Sequence, residues 1–61
     1  MPELLNLQEG AKELKISIHT MRAWVFQKRL PFVRLGRRVL LRREDVEDFV
    51  RRNVVEARER V

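Results

Sequence analysis

The sequence predicts a small, mainly α-helical domain in which three helices pack with a two-stranded β-hairpin. Three observations support this prediction: two short helical patterns separated by a brief turn, a short β pattern interrupted by Gly36, and a longer helical pattern towards the carboxyl end. Because the chain has only 61 residues, we expect one domain over residues 1–61, with its core within about 4–50.

The first helix is predicted over residues 7–14. Asn6 is suited to the N-cap position, and Glu9 follows at the spacing of a capping box. Four residues at helical spacing form its apolar face: Leu7, Gly10, Ala11 and Leu14. Because Gly10 is a poor helix former, it either permits the close approach of another helix or weakens this one.

The second helix is predicted over residues 18–28, after a turn at residues 15–17. Ser17 is a favourable N-cap for it. Its buried face is predicted from three residues at helical spacing: Met21, Trp24 and Val25. Two short helices joined in this way form a helix-turn-helix pattern.

A β-hairpin is predicted next, because Pro31 prevents further helix and the apolar residues change their period. We expect two strands of about four residues, around residues 32–35 and 39–41, joined by a tight turn in which Gly36 adopts a positive φ. We call this hairpin, residues 32–41, the wing. Two arginines occupy its tip: Arg37 and Arg38. The three helices and the wing together predict a winged helix-turn-helix fold.

The third helix is predicted from near Arg43 to about residue 58. Its apolar stripe consists of five residues at helical spacing: Val46, Phe49, Val50, Val54 and Ala57. Glu44 and Asp45 lie in the first turn, where the helix dipole favours negative charge. The remaining charges form i,i+4 pairs typical of a solvated helix face, so we do not interpret these carboxylates as a catalytic site.

The distribution of charge predicts a polyanionic partner. The chain carries 14 Lys and Arg against 9 Asp and Glu, a net charge of +5, and residues 17–43 contain eight of the cations and no acid. With one His, no Cys and no Gly-rich phosphate loop, the chain is predicted not to be an enzyme and to need no cofactor, metal or small-molecule ligand. It shows neither a membrane span nor a signal peptide, so we expect no membrane partner.

Double-stranded DNA is therefore the predicted partner, and the second helix and the wing are the predicted contacts. The outward residues of the second helix are candidates for base and phosphate contacts: Ser17, His19, Thr20, Arg22, Ala23 and Phe26. The wing and the residues after the helix supply cations for the grooves and the backbone: Lys28, Arg29, Arg34, Arg37 and Arg38. Phe26 lies off the buried stripe, so it covers the wing, contacts a second copy, or touches a thymine methyl.

Three segments carry a family resemblance: LNLQEGAKEL, ISIHTMRAW and LPFVRLGRRVLLRREDVEDFV. In this order and spacing, and without a gap over about residues 4–50, they resemble the excisionase-type, MerR-like winged helix-turn-helix family. By position, the resemblance implies a recognition-helix face at Ser17, His19, Thr20 and Arg22, and a wing tip at Arg37 and Arg38. Lys15 and Lys28 stand where the family often has Gly, so they are expected to adopt the left-handed conformation that Gly supplies there.

The resemblance implies a cytoplasmic bacterial or phage protein associated with DNA. One implied role is a recombination directionality factor, which binds and bends DNA at an attachment site so that a partner integrase excises an element. The other is a small MerR-like transcriptional regulator. Full MerR regulators have a long dimerising helix that this chain is too short to supply. We therefore expect several copies to assemble cooperatively on DNA, with the basic wing of one copy against the acidic third helix of the next.

A protein of a different class is also compatible with the carboxyl-terminal residues. Val54, Val55 and Val61 make this end more apolar than solubility requires. In this alternative the protein is an interaction module that docks through its carboxyl-terminal residues on an integrase or on a second copy of the chain.

Overall fold

A computed structural model describes residues 3–57 of the chain, and it has the predicted mainly α-helical architecture with a hairpin. Its elements follow in the order β1 (Leu4–Asn6), α1 (Leu7–Leu14), α2 (Ile18–Phe26), β2 (Val33–Leu35), β3 (Arg38–Arg42) and α3 (Arg43–Arg52). The three strands form one antiparallel sheet in the order β1-β3-β2. The fold is a winged helix-turn-helix whose wing is extended by a third strand.

The first strand, β1, was not predicted. It pairs with β3 so that Leu5 lies opposite Leu41, and both side chains are buried. The strand has only three residues and leads directly into α1, with Asn6 as both its last residue and the helix N-cap. A segment this short has no room for the alternation that marks a strand in a sequence. Pairing on both sides makes β3 the central strand, which fixes the wing to the core.

The predicted N-caps of the first two helices are confirmed. The Asn6 Oδ1 accepts a hydrogen bond from the Glu9 N–H (2.7 Å), and the Asn6 N–H donates to the Glu9 carboxylate (2.8 Å), which completes the capping box. The Ser17 Oγ accepts from the Thr20 N–H (3.1 Å) at the start of α2. Both helices therefore begin where their side chains satisfy free backbone N–H groups.

Two lysines adopt the left-handed conformation expected at the ends of the first two helices. Lys15 and Lys28 both have a φ of 59°. After Lys15 the Ile16 N–H donates back to the Ala11 carbonyl (3.0 Å), and after Lys28 the Arg29 N–H donates to the Trp24 carbonyl (2.9 Å). These back-bonds end each helix sharply. Lys15 thereby allows α1 and α2 to be separated by only three residues.

The second and third helices are shorter than predicted. α2 ends at Phe26 rather than residue 28, because the left-handed turn at Lys28 reverses the chain. α3 ends at Arg52 rather than at about residue 58. Just after this end, the side-chain amide of Asn53 donates to the Phe49 carbonyl (2.7 Å). The predicted end near residue 58 lies outside the described residues. Residues 54–57 do not continue the helix, so its predicted apolar stripe stops within α3.

The core lies between α1, α2, β3 and α3. Its buried apolar side chains are Leu5, Ala11, Met21, Val25, Leu30, Leu41 and Val46. Gly10 faces this core, and a Cβ at that position would lie 2.6 Å from the Leu41 Cδ1 and 3.3 Å from the Met21 Cε. Gly10 therefore permits the close approach of side chains to α1. The nearest belongs to Leu41 of β3, and the next to Met21 of α2.

Arg43 joins three parts of the fold through two carboxylates. Its guanidinium donates to both oxygens of Glu13 on α1 (2.9 and 2.8 Å) and contacts Glu3 before β1 (2.9 Å). The hydrogen bonds from Arg43 lower the pKa of Glu13 below its ordinary value of 4.5. A carboxyl group whose pKa is lowered on folding stabilises the fold above its unfolded pKa, and that stabilisation is lost as the pH falls through the folded pKa.

We therefore expect the Tm to fall less steeply below about pH 4.5 in Glu13→Gln than in the wild-type protein, as followed by circular dichroism. The difference is expected to be small and to shrink in high salt, since both partners are partly exposed. Parallel acid profiles for the two proteins would contradict this contribution. Glu47→Gln, which changes an exposed carboxylate on α3 instead of the one on α1, is the matched control.

Candidate nucleic-acid interface

α2 presents a continuous exposed face opposite the core. Four predicted contact residues occupy it at the i, i+3, i+4 and i+7 positions: His19, Arg22, Ala23 and Phe26. Met21 and Val25 lie on the opposite side and are buried. Four of the six recognition residues predicted from the sequence are thus brought to one side of one helix.

Ser17 and Thr20 lie at the amino end of this face and are linked to each other. The Ser17 hydroxyl accepts from the Thr20 N–H and also donates to the Thr20 Oγ1 (3.0 Å). The N-cap bond uses the Ser17 Oγ as an acceptor, and the proton of the Ser17 hydroxyl is used in the separate bond to the Thr20 Oγ1. The proton of the half-buried Thr20 hydroxyl is not used in this pair. Of the two, Thr20 is better placed to donate to a ligand.

The wing turns at Gly36 and Arg37. Leu35 pairs with Arg38 across the turn, and Gly36 has the predicted positive φ of 60°. A glycine with positive φ at the first of two turn residues is typical of a type II′ hairpin turn, whose twist suits the flanking strands. Arg37 therefore lies at the tip itself, and Arg38 is the first residue of β3.

The wing arginines point to different sides of the sheet. Arg34 lies opposite Val39, on the same sheet face as the buried Leu41, so it faces the helices. Arg38 alternates to the other face. Cations are therefore available both towards α2 and on the outer side of the wing.

A cleft of about 330 Å³ separates α2 from the wing. Its apolar walls are formed mainly by Val25, Phe26, Phe32 and Val39. Three cations also line it: Arg22, Lys28 and Arg34. The cleft brings α2 and the wing into one surface, whereas the sequence predicted them only as two separate elements.

Two of the eight cations in residues 17–43 have a structural role that the sequence did not indicate. Arg42 donates through Nη2 to the Asp45 Oδ1 (3.0 Å) and lies 3.7 Å from Glu44, while Arg43 binds Glu3 and Glu13. The acids of these pairs lie outside the basic stretch, so counting charges within it could not find them. Among the residues that the structure describes, the other six form no ion pair: Arg22, Lys28, Arg29, Arg34, Arg37 and Arg38.

Arg29 is positioned by an aromatic contact at the end of α2. Its guanidinium carbon lies 5.3 Å from the ring centroid of Trp24, within the range of a cation–π interaction. Trp24 in turn packs against Phe49 of α3, with ring centroids 5.3 Å apart. The tryptophan thus occupies the predicted core position and connects α2 to α3, and it leaves Arg29 exposed.

Two of the four acids of α3 are closely paired with arginines within the chain. Asp45 binds Arg42, and Asp48 binds both Arg51 (3.2 Å) and Arg52 (3.0 Å).

Within residues 3–57 no three metal-ligating side chains come together, and no helix has the length and apolarity to cross a membrane.

A family model matches most of the chain. It is described as a helix-turn-helix domain and covers residues 4–54, from β1 to just beyond α3. No curated protein and no solved structure matches the chain.

Proposed function

The chain belongs to the helix-turn-helix domain family of DNA-binding proteins, and from this premise we propose that α2 enters the major groove of a specific duplex while the wing contacts the adjacent backbone and minor groove. The observation that carries the proposal is a group of six cations on α2, on the segment after it and on the wing, none of which forms an ion pair within residues 3–57. A surface of this kind matches the charge of duplex DNA.

The residues have distinct proposed roles. Arg22 donates two hydrogen bonds to a guanine edge, and His19 and Thr20 contact neighbouring bases or a phosphate. Arg37 and Arg38 contact the minor groove or the phosphates beside it. Cations after α2 and on the inner face of the wing position the domain on the backbone: Lys28, Arg29 and Arg34.

The dependence of DNA affinity on salt tests this proposal. Five of the six cations, all except Arg22, are proposed to replace counterions on phosphates, so the slope of log affinity against log salt is expected to be about −4.5, from roughly −0.9 per contact. Fluorescence anisotropy of a labelled duplex between about 50 and 300 mM salt measures it. A slope near zero would contradict binding through this surface, and a slope of about −6 would mean that Arg42 and Arg43 leave their acids to bind DNA.

For the biological role we propose excision control, supported by the resemblance of the α2 and wing segments to excisionase-type proteins. In this role the protein bends an attachment site for a partner integrase. Transcriptional regulation is the alternative. Selection of bound duplexes from a random pool distinguishes them: direct repeats at a fixed spacing favour excision, whereas a single or inverted site favours a regulator.

Cooperative assembly on repeated sites is a further part of the excision proposal. The arginine partners of Asp45 and Asp48 leave Glu44 and Glu47 as the more available acids of α3 for a neighbouring wing. We expect charge reversal at Glu47 to reduce cooperativity between two adjacent sites while single-site affinity is retained. Equal loss of both would contradict wing-to-helix assembly.

The interaction-module alternative depends on the residues after α3. Val54 and Val55 are 59% and 91% exposed, whereas Val61 lies outside the described residues. Light scattering of the chain with and without residues 54–61 distinguishes this alternative from a monomeric DNA-binding protein. A change in mass on truncation would support it.

A further inference from the structure

Phe26 is a large aromatic side chain that the fold leaves uncovered. It is the last residue of α2 and is 87% exposed. The wing therefore does not shield it, which removes one of the three interpretations that the sequence allowed. The remaining two are a contact with DNA and a contact with a second copy of the chain.

The surroundings of Phe26 distinguish between these two partners. Phe26 and Arg22 are separated by one helical turn, and both line the cleft between α2 and the wing. Lys28 and Arg34 also line the cleft, so its apolar surface is bordered by positive charge. A second copy meeting this surface with its own would bring the same cations together, whereas DNA offers apolar groups beside negative phosphates.

Resting on the function proposed above, we propose that Phe26 contacts the 5-methyl group of a thymine in the major groove, close to the base that Arg22 contacts. The thymine methyl is the one apolar group that a base pair presents in this groove, and aromatic side chains are suitable partners for it. Phe26 is then a specificity-determining residue, because cytosine and the purines lack this methyl group.

The helix geometry fixes where this thymine lies. Four residues along an α-helix correspond to about 6 Å, and successive base pairs are about 3.4 Å apart. The thymine is therefore expected within about two base-pair steps of the guanine bound by Arg22. A selected site with a guanine and a thymine at this spacing is the sequence signature of the contact.

Replacement of thymine by deoxyuridine tests the contact directly, because it removes the methyl group and leaves base pairing intact. The probe is the duplex recovered by selection from a random pool, with each thymine replaced in turn. For the wild-type protein, one replacement at the expected spacing should raise Kd about fourfold, the factor for burying one methyl group. The same replacement should leave the Kd of Phe26→Ala unchanged.

Phe26→Ala itself is expected to bind the thymine duplex about tenfold more weakly, since it loses the aromatic contact surface. Phe26→Leu should retain part of the affinity and part of the sensitivity to deoxyuridine. Val55→Ala, at an exposed apolar residue beyond α3, is the matched control and should bind like the wild type. Because the Phe26 side chain is so exposed, its replacement should leave the circular dichroism spectrum unchanged.

Three results would overturn this inference while leaving the proposed function intact: a selected site without a thymine near the guanine, no effect of any deoxyuridine on the wild type, or the same deoxyuridine effect in Phe26→Ala. A change in sedimentation mass on Phe26→Ala, with unchanged single-site affinity, would assign Phe26 to a contact between copies and overturn it as well. Failure of the wild-type protein to bind any duplex would instead overturn the proposed function.

Discussion

Replacing Arg22, Arg37 and Arg38 together with alanine is expected to lower the affinity for the selected duplex by about a hundredfold or more. These three exposed side chains have no ion pair within residues 3–57, so their charges are available to DNA. A hydrogen bond to a charged group contributes about 1.5–3 kcal/mol. Losing three such contacts exceeds the roughly 2.7 kcal/mol that a hundredfold change requires. Fluorescence anisotropy at fixed salt measures the loss.

The control variant must remove the same charge from elsewhere on the surface. Lys12, Arg51 and Arg52 are exposed on α1 and α3, and their replacement with alanine also lowers the net charge from +5 by three. We expect this variant to bind within a few-fold of the wild type, because screening limits the effect of distant charges. Equal losses for the two triple variants would mean that net charge alone, and not the α2 and wing surface, determines binding.

The single variants are expected to separate base contacts from backbone contacts. Arg22→Ala should relax the preference for one base in the selected site, because its guanidinium bonds to a base edge. Arg37→Ala and Arg38→Ala should weaken binding to all duplexes more evenly. If Arg37→Ala or Arg38→Ala relaxed the base preference and Arg22→Ala weakened all duplexes evenly, the wing rather than α2 would contact the specificity-determining bases.

Leu41→Ala is expected to destabilise the fold by about 2–5 kcal/mol, the usual range for a buried leucine. Leu41 is fully buried on the central strand, opposite Leu5 and beside Gly10 and Met21. A domain this small has little free energy of unfolding in reserve, so the variant should be largely unfolded near 37 °C. Urea unfolding followed by circular dichroism measures the change. The same substitution at half-exposed Leu35 is the control, with an expected cost below about 1 kcal/mol.

Gly10→Ala tests the close approach at the same place. Alone it should destabilise the fold, because overpacking costs about 1–3 kcal/mol and the gain in helix propensity is at most about 1 kcal/mol. In the Leu41→Ala background the overlap with the Leu41 Cδ1 is removed and the nearest remaining atom is the Cε of the flexible Met21 side chain at 3.3 Å, so the same change should be less destabilising there. Equal effects of Gly10→Ala in the two backgrounds would contradict the contact between Gly10 and Leu41.

The local signals in the sequence predicted much of the fold. Asn6 with Glu9 and Ser17 defined the starts of α1 and α2, because capping depends on residues only three positions apart. Gly36 placed the wing turn for the same reason, since the conformation of a tight turn is set by its own residues. The exposed face of α2 followed from helical periodicity alone.

The remaining features depend on residues that are distant in the sequence. β1 exists because β3 provides a partner for three residues that carry no strand pattern of their own. The structural role of Arg43 depends on Glu3 and Glu13, which are far from it along the chain. Arg42, in contrast, pairs with acids only two and three residues away, which a count of charges within residues 17–43 does not reveal. Helical periodicity places Phe26 on the outward face of α2, but whether the wing covers it there depends on the path of the wing.

The central claim is that DNA binds across the exposed face of α2 and the wing. Amide chemical shifts of the isotope-labelled protein, titrated with a duplex that carries a single copy of the selected site so that no second copy binds beside it, test it residue by residue. We expect the largest changes at residues 17–29 and 34–38, with α3 little affected beyond Arg43. Changes concentrated on α3 or on residues 53–57, with α2 and the wing unperturbed, would contradict the claim.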